Sequence, residues 1–103
     1  MLVIRDIMYC KPGKVRPLVE KFVAMDKLGR KMGFPKMRIM TDVSAERYWT
    51  LVSEMEVDNL EAFEKMMSGA GQKEEDAKEF ENIMKGYHDL VEQGRREIYK
   101  VEG

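Results

Sequence analysis

Apolar side chains occupy both faces of the first nine residues. With the two-residue period of a β-strand they fall into two sets, Leu2, Ile4 and Met8 on one side and Val3, Ile7 and Tyr9 on the other. A strand that is buried on both faces lies in the middle of its sheet. The pattern therefore predicts a central first strand, which ends at the proline and glycine of residues 11–14.

A helical period follows this turn. The apolar positions after Lys14 are Val15, Leu18, Val19, Phe22, Met25, Gly29 and Met32. Gly33 is placed to end the helix in a left-handed conformation, and Phe34 and Pro35 prevent its continuation. We expect a first helix from Lys14 to about Met32.

Residues 36–43 are more polar and predict an edge strand, joined by a tight connection to a second central strand over residues 46–57. The alternation of that strand places Trp49, Leu51, Met55 and Val57 on one face and Tyr48, Thr50, Val52, Glu54 and Glu56 on the other. The two strands should form a hairpin.

A second helix should begin directly after this strand, since Asp58 and Glu61 have the spacing of a capping box. Two glycines in Ser68–Gly69–Ala70–Gly71 make helix continuation costly and predict a break. Helical periodicity resumes at about Glu74 and is expected to run to Gly94. Residues 95–101 predict the last strand, at an edge.

The element order is therefore β-α-β-β-α-β with a split second helix. It predicts an α+β, ferredoxin-like fold: a four-stranded antiparallel sheet of order 4-1-3-2 with the helices on one face. We also expect the first and third strands to be parallel to each other. The uncovered face would then carry Tyr48, Val52 and either Ile4 or Ile7. Since one small domain has nothing left to cover them, we predict a homodimer that packs through its sheet faces.

Composition adds limits to this picture. The 103 residues, 44% hydrophobic and 36% charged, predict one globular domain over residues 1–103, without a signal peptide or membrane span. The single cysteine, Cys10, cannot form an internal disulfide, so we expect a cytoplasmic protein. Cys10 is either a reactive thiol or, as we favour, a small buried residue at a strand end.

Charge is unevenly distributed along the chain. Up to Arg38 there are ten Lys and Arg against three acids, and the remainder has eight against sixteen. The basic part could bind an anion or nucleic acid. We favour packing of a basic first helix beside an acidic second helix, because the basic residues lack interleaved exposed aromatic residues. No nucleic-acid partner and no membrane contact is expected.

Several segments resemble the dimeric α/β-barrel superfamily, in particular the NIPSNAP-like and antibiotic-biosynthesis-monooxygenase-like proteins. The matching segments are residues 9–14, 33–34, 52–56, 58–63 and 90–99. The resemblance implies a ferredoxin-like subunit, a barrel formed by two sheets across a dimer, and a pocket between sheet and helices in each subunit. Some members of this superfamily oxidise polycyclic phenols without a cofactor and others degrade haem. The haem-degrading members pair a strand Trp with a His in the next helix and an Asn on the first strand, a pattern that is absent here.

His88 and Asp6 are the candidate catalytic residues. A histidine side chain titrates near neutral pH and can serve as a general base or haem ligand. The alternative, which we favour, is a boundary residue on the second helix that is hydrogen-bonded to water or an acid. Asp6 and its neighbour Arg5 are charges in the middle of an apolar strand, which marks either a functional site or an ion pair. Arg38 and Arg47 are potential partners for Asp6 or Glu54.

The candidate substrate-binding residues are Trp49, Tyr9, Met66, Met84 and Tyr87. The ten methionines could line an adaptable apolar pocket or simply fill the core. With one His and one Cys, no His/Cys metal cluster can form, and no cofactor is expected.

Two functions remain open at this point. The first is a dimer that binds an apolar or aromatic small molecule between sheet and helices, and that acts as a cofactor-independent monooxygenase if His88 or Asp6 accepts a substrate proton. The second is a non-catalytic dimerisation module.

Overall fold

The computed structural model describes residues 1–69 and 71–103, so Ala70 of the predicted break lies outside the described residues. The strands are β1 (Leu2–Cys10), β2 (Arg38–Thr41), β3 (Thr50–Val57) and β4 (Val91–Lys100). The helices are α1 (Val15–Lys31), α2 (Leu60–Met67) and α3 (Glu74–Met84), followed by a 3₁₀ turn at Tyr87–Asp89. The predicted split of the second helix is confirmed.

The sheet has the order β2-β3-β1-β4, which is the predicted 4-1-3-2 counted from the opposite edge. Every neighbouring pair is antiparallel. The predicted ferredoxin-like fold is therefore confirmed. The expectation that the first and third strands are parallel is wrong: the helical crossover brings β2 back in the direction of β1, and the β2–β3 hairpin then reverses the chain.

The two faces of the sheet have separate sets of residues. The helix-covered face of β1 carries Leu2, Ile4, Asp6, Met8 and Cys10, and its open face carries Val3, Arg5, Ile7 and Tyr9. The core on the helix-covered face has two clusters, one around Leu18, Phe22, Leu51 and Cys10, the other around Ile4, Val57 and Phe63. Val52 and Ile7 lie on the open face as predicted, whereas Ile4 is in the core.

Strand β3 begins later than the alternation predicted. Trp49 has a φ of +62°, in the left-handed region, which interrupts the extended backbone before Thr50. Trp49 and Tyr48 therefore precede the strand and do not belong to its faces, and Tyr48 is almost fully exposed. The Trp49 carbonyl still accepts a hydrogen bond from the Cys10 backbone N–H at 2.8 Å, which ties this segment to β1.

The cap of α2 is Asn59, not Asp58. The Asn59 side-chain oxygen accepts a hydrogen bond from the Ala62 backbone N–H at 2.8 Å. This bond satisfies a free donor of the first turn, as expected for a capping residue. Asp58 lies one residue too early for this contact, and Glu61 remains in the first turn, where a negative charge is favourable.

Helix α3 ends ten residues before the predicted Gly94. The chain leaves the helical path at Lys85, whose ψ is 127°, and Gly86 then adopts a φ of +82°, which a residue with a Cβ atom rarely adopts. The Lys21 ammonium donates to the backbone carbonyls of Ile83 and Lys85 at 3.0 and 2.7 Å. A side chain of α1 therefore supplies hydrogen bonds to the free carbonyl groups at the end of α3. Gly94 accordingly lies inside β4.

Asp26 fixes the loop after α1 to the helix. It is buried, accepts a hydrogen bond from the Met37 backbone N–H at 2.8 Å and pairs with Arg30 at 3.0 Å. A buried carboxylate requires such partners. Across residues 1–69 and 71–103, no helix is both long enough and apolar enough to cross a membrane.

Candidate functional site

A cavity of about 730 Å³ lies between the helix-covered face of the sheet and the helices. Eight of the ten methionines line it: Met8, Met25, Met32, Met37, Met55, Met66, Met67 and Met84. Aromatic residues Phe22, Phe34, Phe63 and Phe80 also line it. The cavity is therefore bordered by many flexible apolar side chains, which can adapt to what they contact.

Five of the predicted site residues line this cavity: Asp6, Met66, Met84, Tyr87 and His88. They come from β1, α2, α3 and the 3₁₀ turn, and they are far apart in sequence. Their approach depends on the early end of α3, because the turn after Gly86 brings Tyr87 and His88 back toward the start of β4.

Tyr9 does not belong to the cavity, because it lies on the open face. Its ring is buried under the guanidinium groups of Arg47 and Arg95, at 4.5 and 5.7 Å from the ring centroid. Arg95 also donates a hydrogen bond to the Tyr9 hydroxyl at 2.6 Å. The prediction that Tyr9 contacts a ligand in the pocket is not compatible with this position.

Trp49 is likewise not among the described residues that line the cavity. Because its backbone is left-handed, Trp49 does not follow the side-to-side alternation of a strand, which would have placed it on the same face as Leu51. The residue is 43% exposed to solvent. Trp49 is therefore excluded from the pocket wall.

Asp6 lies in the cavity floor as one half of an ion pair. The Arg96 Nε and Nη2 atoms donate to its Oδ1 and Oδ2 atoms at 2.7 and 3.2 Å. This hydrogen bond raises the pKa of Arg96, which keeps the guanidinium charged. Arg96 also lies over the Phe63 ring, 5.1 Å from its centroid. The planar guanidinium of Arg96 thus donates hydrogen bonds to Asp6 along its edge and lies with its face against the Phe63 ring.

Ser53 is a cavity residue that sequence reasoning missed. It is 4% exposed, lies directly opposite Asp6 in the β1–β3 register and lines the same cavity. One sequence signal could have found it: a serine occupies an inward position of β3 between Leu51 and Met55, where an apolar residue is expected.

His88 lies in the 3₁₀ turn and not on the predicted helix. Its ring is 4.0 Å from the Tyr87 ring, centroid to centroid, and the residue is exposed at the margin of the cavity. A ligand that reaches this margin can contact the imidazole without a rearrangement of the core.

The open face carries a network of ion pairs. Glu54 accepts hydrogen bonds from Arg5 at 2.6 Å and from Arg38 at 2.9 Å, and these two partners lower its pKa, Arg38 most. Arg38 and Glu54 are one of the predicted pairs, whereas Arg47 pairs with Glu92 at 3.5 Å.

A second group on this face joins Arg95, Glu97 and Tyr99. Glu97 accepts from Arg95 at 3.0 Å and from the Tyr99 hydroxyl at 2.8 Å, and both bonds lower the pKa of Glu97. Polar groups on this face are therefore supplied with partners from the chain itself.

Cys10 is buried in the core and is unpaired. Burial, with a smaller contribution from Asp42, raises the pKa of its thiol and disfavours the reactive thiolate. Its position agrees with the favoured interpretation as a small core residue. Within the part of the chain that the structure describes, no three His, Cys, Asp or Glu side chains group as a metal site would require.

Solved structures share this fold over nearly the whole chain. An uncharacterised NIPSNAP domain protein from Burkholderia xenovorans superposes with a TM-score of 0.76 at 14% identity, over 99% of this chain and 95% of its own. An antibiotic biosynthesis monooxygenase superposes with a TM-score of 0.70 at 11% identity, over 100% of both chains. A dimeric ferredoxin-like protein of unknown function from Bacteroides fragilis reaches 0.63 at 14% identity, over 97% of this chain and 96% of its own.

These likenesses confirm the predicted structural resemblance to NIPSNAP and monooxygenase-like proteins. At such low sequence identity they establish the fold alone. No family model matches the chain, and no curated protein is significantly similar to it in sequence.

Proposed function

We propose that this protein binds an apolar or aromatic small molecule in the cavity between sheet and helices. The observation that carries the proposal is the cavity itself, whose volume of about 730 Å³ lies within the range of small-molecule sites in proteins. Eight methionines line this cavity, and their flexible side chains can adapt to a ligand.

The proposed ligand contacts differ from those expected from the sequence. Met66, Met84 and Tyr87 line the cavity and keep their proposed role in substrate binding. Tyr9 and Trp49 lose it, since neither side chain lies in the cavity wall. The rings of Phe22 and Phe80 are the aromatic surfaces available instead.

The catalytic form of the proposal is a monooxygenation without a cofactor. A CH₂ group made acidic by neighbouring aromatic rings loses a proton to a base, and O₂ adds to the carbanion. The resulting peroxide anion takes the proton back from the base, and the hydroperoxide so formed loses water, so that one O₂ converts CH₂ to C=O and releases one H₂O. His88 suits the role of base, because a neutral imidazole can accept a proton and this one borders the cavity.

Asp6 is less suited to this role than His88. Arg96 donates to both of its carboxylate oxygens, so this carboxylate is already engaged and is less free to approach a substrate proton. Among the proposed catalytic residues, His88 is therefore the primary candidate, and Asp6 acts in orientation of the ligand.

Self-association through the open face is part of the same proposal. Ile7 and Val52 are adjacent apolar residues on that face, and a ferredoxin-like neighbour is a dimer. We propose that residues 1–103 act as one domain of a cytoplasmic homodimer; the single unpaired Cys10 fits a reducing compartment.

The alternative is a non-catalytic dimerisation module. The specific observation in its favour is that Asp6 and Glu92, the two carboxylates among the described residues that line the cavity, are both paired with arginines. In this case the open face is the functional surface and the cavity has no substrate.

Native mass spectrometry of protein purified from cells tests binding and assembly together. We expect the mass of two chains plus a retained small molecule. Met84→Trp fills the cavity and should lose the ligand while it keeps the dimer. Met40→Trp, on the open face opposite Val52, is the matched control and should keep the ligand while it weakens the dimer. A ligand-free wild-type protein that also binds no aromatic probe would contradict the binding proposal, and a monomer would contradict the assembly.

Oxygen uptake tests the catalytic form. With anthrone as the probe, we expect uptake above the protein-free rate, and a large loss of it in His88→Ala. Asp89→Asn, in the same 3₁₀ turn, is the control and should retain the rate. Uptake that is equal with and without protein would exclude this chemistry for anthrone-like substrates.

A further inference from the structure

Three polar residues form a line across the apolar floor of the cavity. Asp6 of β1 is opposite Ser53 of β3 on one side and opposite Arg96 of β4 on the other, and all three line the cavity. Residues that pair directly on neighbouring antiparallel strands have Cα atoms only about 5 Å apart and share a face of the sheet. The three side chains therefore form one continuous polar row, which we call the Ser53–Asp6–Arg96 row.

The Ser53 hydroxyl has no hydrogen-bond partner among the described residues, although the residue is 4% exposed. The hydroxyl oxygen is not fully enclosed, because none of the described side-chain N and O atoms is both fully buried and without a hydrogen-bond partner. The hydroxyl therefore reaches the open volume of the cavity. Because the hydroxyl is open to the cavity, a bound polar group can reach it and form a net favourable hydrogen bond.

Asp6 and Arg96 also retain hydrogen-bonding capacity. Each Asp6 oxygen accepts one bond from Arg96, and a carboxylate oxygen has a second acceptor position. Arg96 is fixed by Asp6 and by the Phe63 ring, so the row is already in place without a ligand. Because the two charges cancel, an anion would gain little from Arg96 and would be repelled by Asp6.

We propose that the Ser53–Asp6–Arg96 row recognises a neutral hydroxyl group, an alcohol or phenol, on the apolar ligand. The ligand O–H donates to an Asp6 oxygen, and the ligand oxygen accepts from the Ser53 hydroxyl. This inference rests on the proposed function and adds the chemical class of the ligand and the residues that select it. No bond is made or broken in this step.

Methionine methyl NMR tests the inference directly, since eight methionines line the cavity. Protein labelled with ¹³C in the methionine methyl groups is titrated at pH 7 with 2-naphthol, with 2-methoxynaphthalene, which cannot donate, and with 2-naphthoate, which is anionic. We expect 2-naphthol to bind about tenfold more tightly than the other two probes, the effect of one net hydrogen bond.

Two variants assign this preference to the row. Ser53→Ala should weaken the binding of 2-naphthol several-fold, because the ligand oxygen loses its donor, and should leave the affinity for naphthalene, which carries no oxygen, unchanged. Thr50→Val is the matched control, because it removes another buried hydroxyl from β3 that lies on the open face and donates to the Arg47 carbonyl. It should keep the full preference.

The outcomes separate the two levels of the proposal. Binding of all three probes with equal affinity would overturn the recognition of a hydroxyl while cavity binding stands. Tighter binding of 2-naphthoate would overturn the requirement for a neutral ligand. If no probe shifts the cavity methionine signals, the binding proposal itself fails, and the recognition row fails with it.

Discussion

The two faces of this sheet are built from alternate residues of the same strands, yet they differ in how completely their polar groups are paired. On the open face, Glu54 binds two arginines and Glu97 binds Arg95 and Tyr99. On the helix-covered face, Asp6 is paired with Arg96, but the Ser53 hydroxyl faces the cavity without a partner from the described chain.

The comparison shows where this protein has capacity to bind something else. A face whose charges are already paired gains little from a new polar partner, whereas an unpaired hydroxyl in an apolar cavity gains a hydrogen bond.

The comparison of the two faces also changes the argument for a dimer. The open face is not a uniformly apolar surface, because arginine side chains cover Tyr9 and ion pairs surround Ile7 and Val52.

The largest difference between the faces should appear at two neighbouring residues of β3. Leu51 is fully buried under the helices, and Val52 is partly exposed on the open face. We expect Leu51→Ala to lower the free energy of unfolding by about 2–5 kcal/mol, and Val52→Ala by about 1 kcal/mol in the monomer. Urea denaturation measures both.

The concentration dependence of the same experiment adds information on assembly. If a second copy covers Val52, the effect of Val52→Ala should grow with protein concentration, whereas the effect of Leu51→Ala should not depend on it. Equal losses in both variants at every concentration would mean that the two faces do not differ in packing.

The ion network of the open face should make a smaller contribution. Glu54→Gln weakens the bonds to Arg5 and Arg38, and we expect a loss of about 1 kcal/mol, since Arg38 is largely exposed and water screens the charge. The loss should shrink in high salt. Glu56→Gln, exposed on the same face of the same strand, is the control, and an equal loss there would mean that the network has no specific role.

The pH dependence of stability should report the same carboxylate. Arg38 and Arg5 lower the pKa of Glu54, so the folded state binds its proton less readily than the unfolded state. The stabilisation is therefore present above the unfolded pKa of about 4.3 and is lost as the pH falls through the folded pKa. Thermal unfolding between pH 3 and 6 should show a shallower acid loss in Glu54→Gln, and identical profiles would contradict this assignment.

The smallest effect is expected at Gly94, in the cavity wall. A Cβ atom there would lie 2.8 Å from the Met8 sulfur, at the flexible end of a side chain that can move. We expect Gly94→Ala to change the free energy of unfolding by less than about 1 kcal/mol, because the strand gains backbone rigidity as Met8 shifts. The Met8 methyl signal should move by NMR, and an unchanged signal would mean that Met8 does not occupy this position.

The element types, their order and the topology follow from sequence patterns with strong local causes. The first strand is apolar on both faces, α1 has a clear stripe that ends at Gly33, and the glycines after Ser68 divide the second helix. Periodicity identifies such elements because each residue's face is set by its own backbone conformation. Helix α3 is shorter than periodicity predicts, because Tyr87, Leu90 and Val91 continue the helical spacing although the chain turns at Lys85 and Gly86.

The candidate site could be predicted only in part. Asp6, Met66, Met84, Tyr87 and His88 were selected from the sequence, and the structure brings them to one cavity.

Tyr9, Trp49, Ser53 and Arg96 could not be placed from the sequence alone. Tyr9 lies on the open face of its strand, and Trp49 precedes β3 in a left-handed conformation. Ser53 and Arg96 can be recognised as site residues only once the strand register places them opposite Asp6.

The sequence by itself thus determined which segments are helices and strands, and in which order they form one sheet. Only the tertiary structure decided which polar groups find partners and which face a cavity. The physical reason is that a residue's conformation depends mainly on near neighbours, whereas a hydrogen bond such as Asp6–Arg96 joins atoms that are 90 residues apart and exists only once the strands have paired.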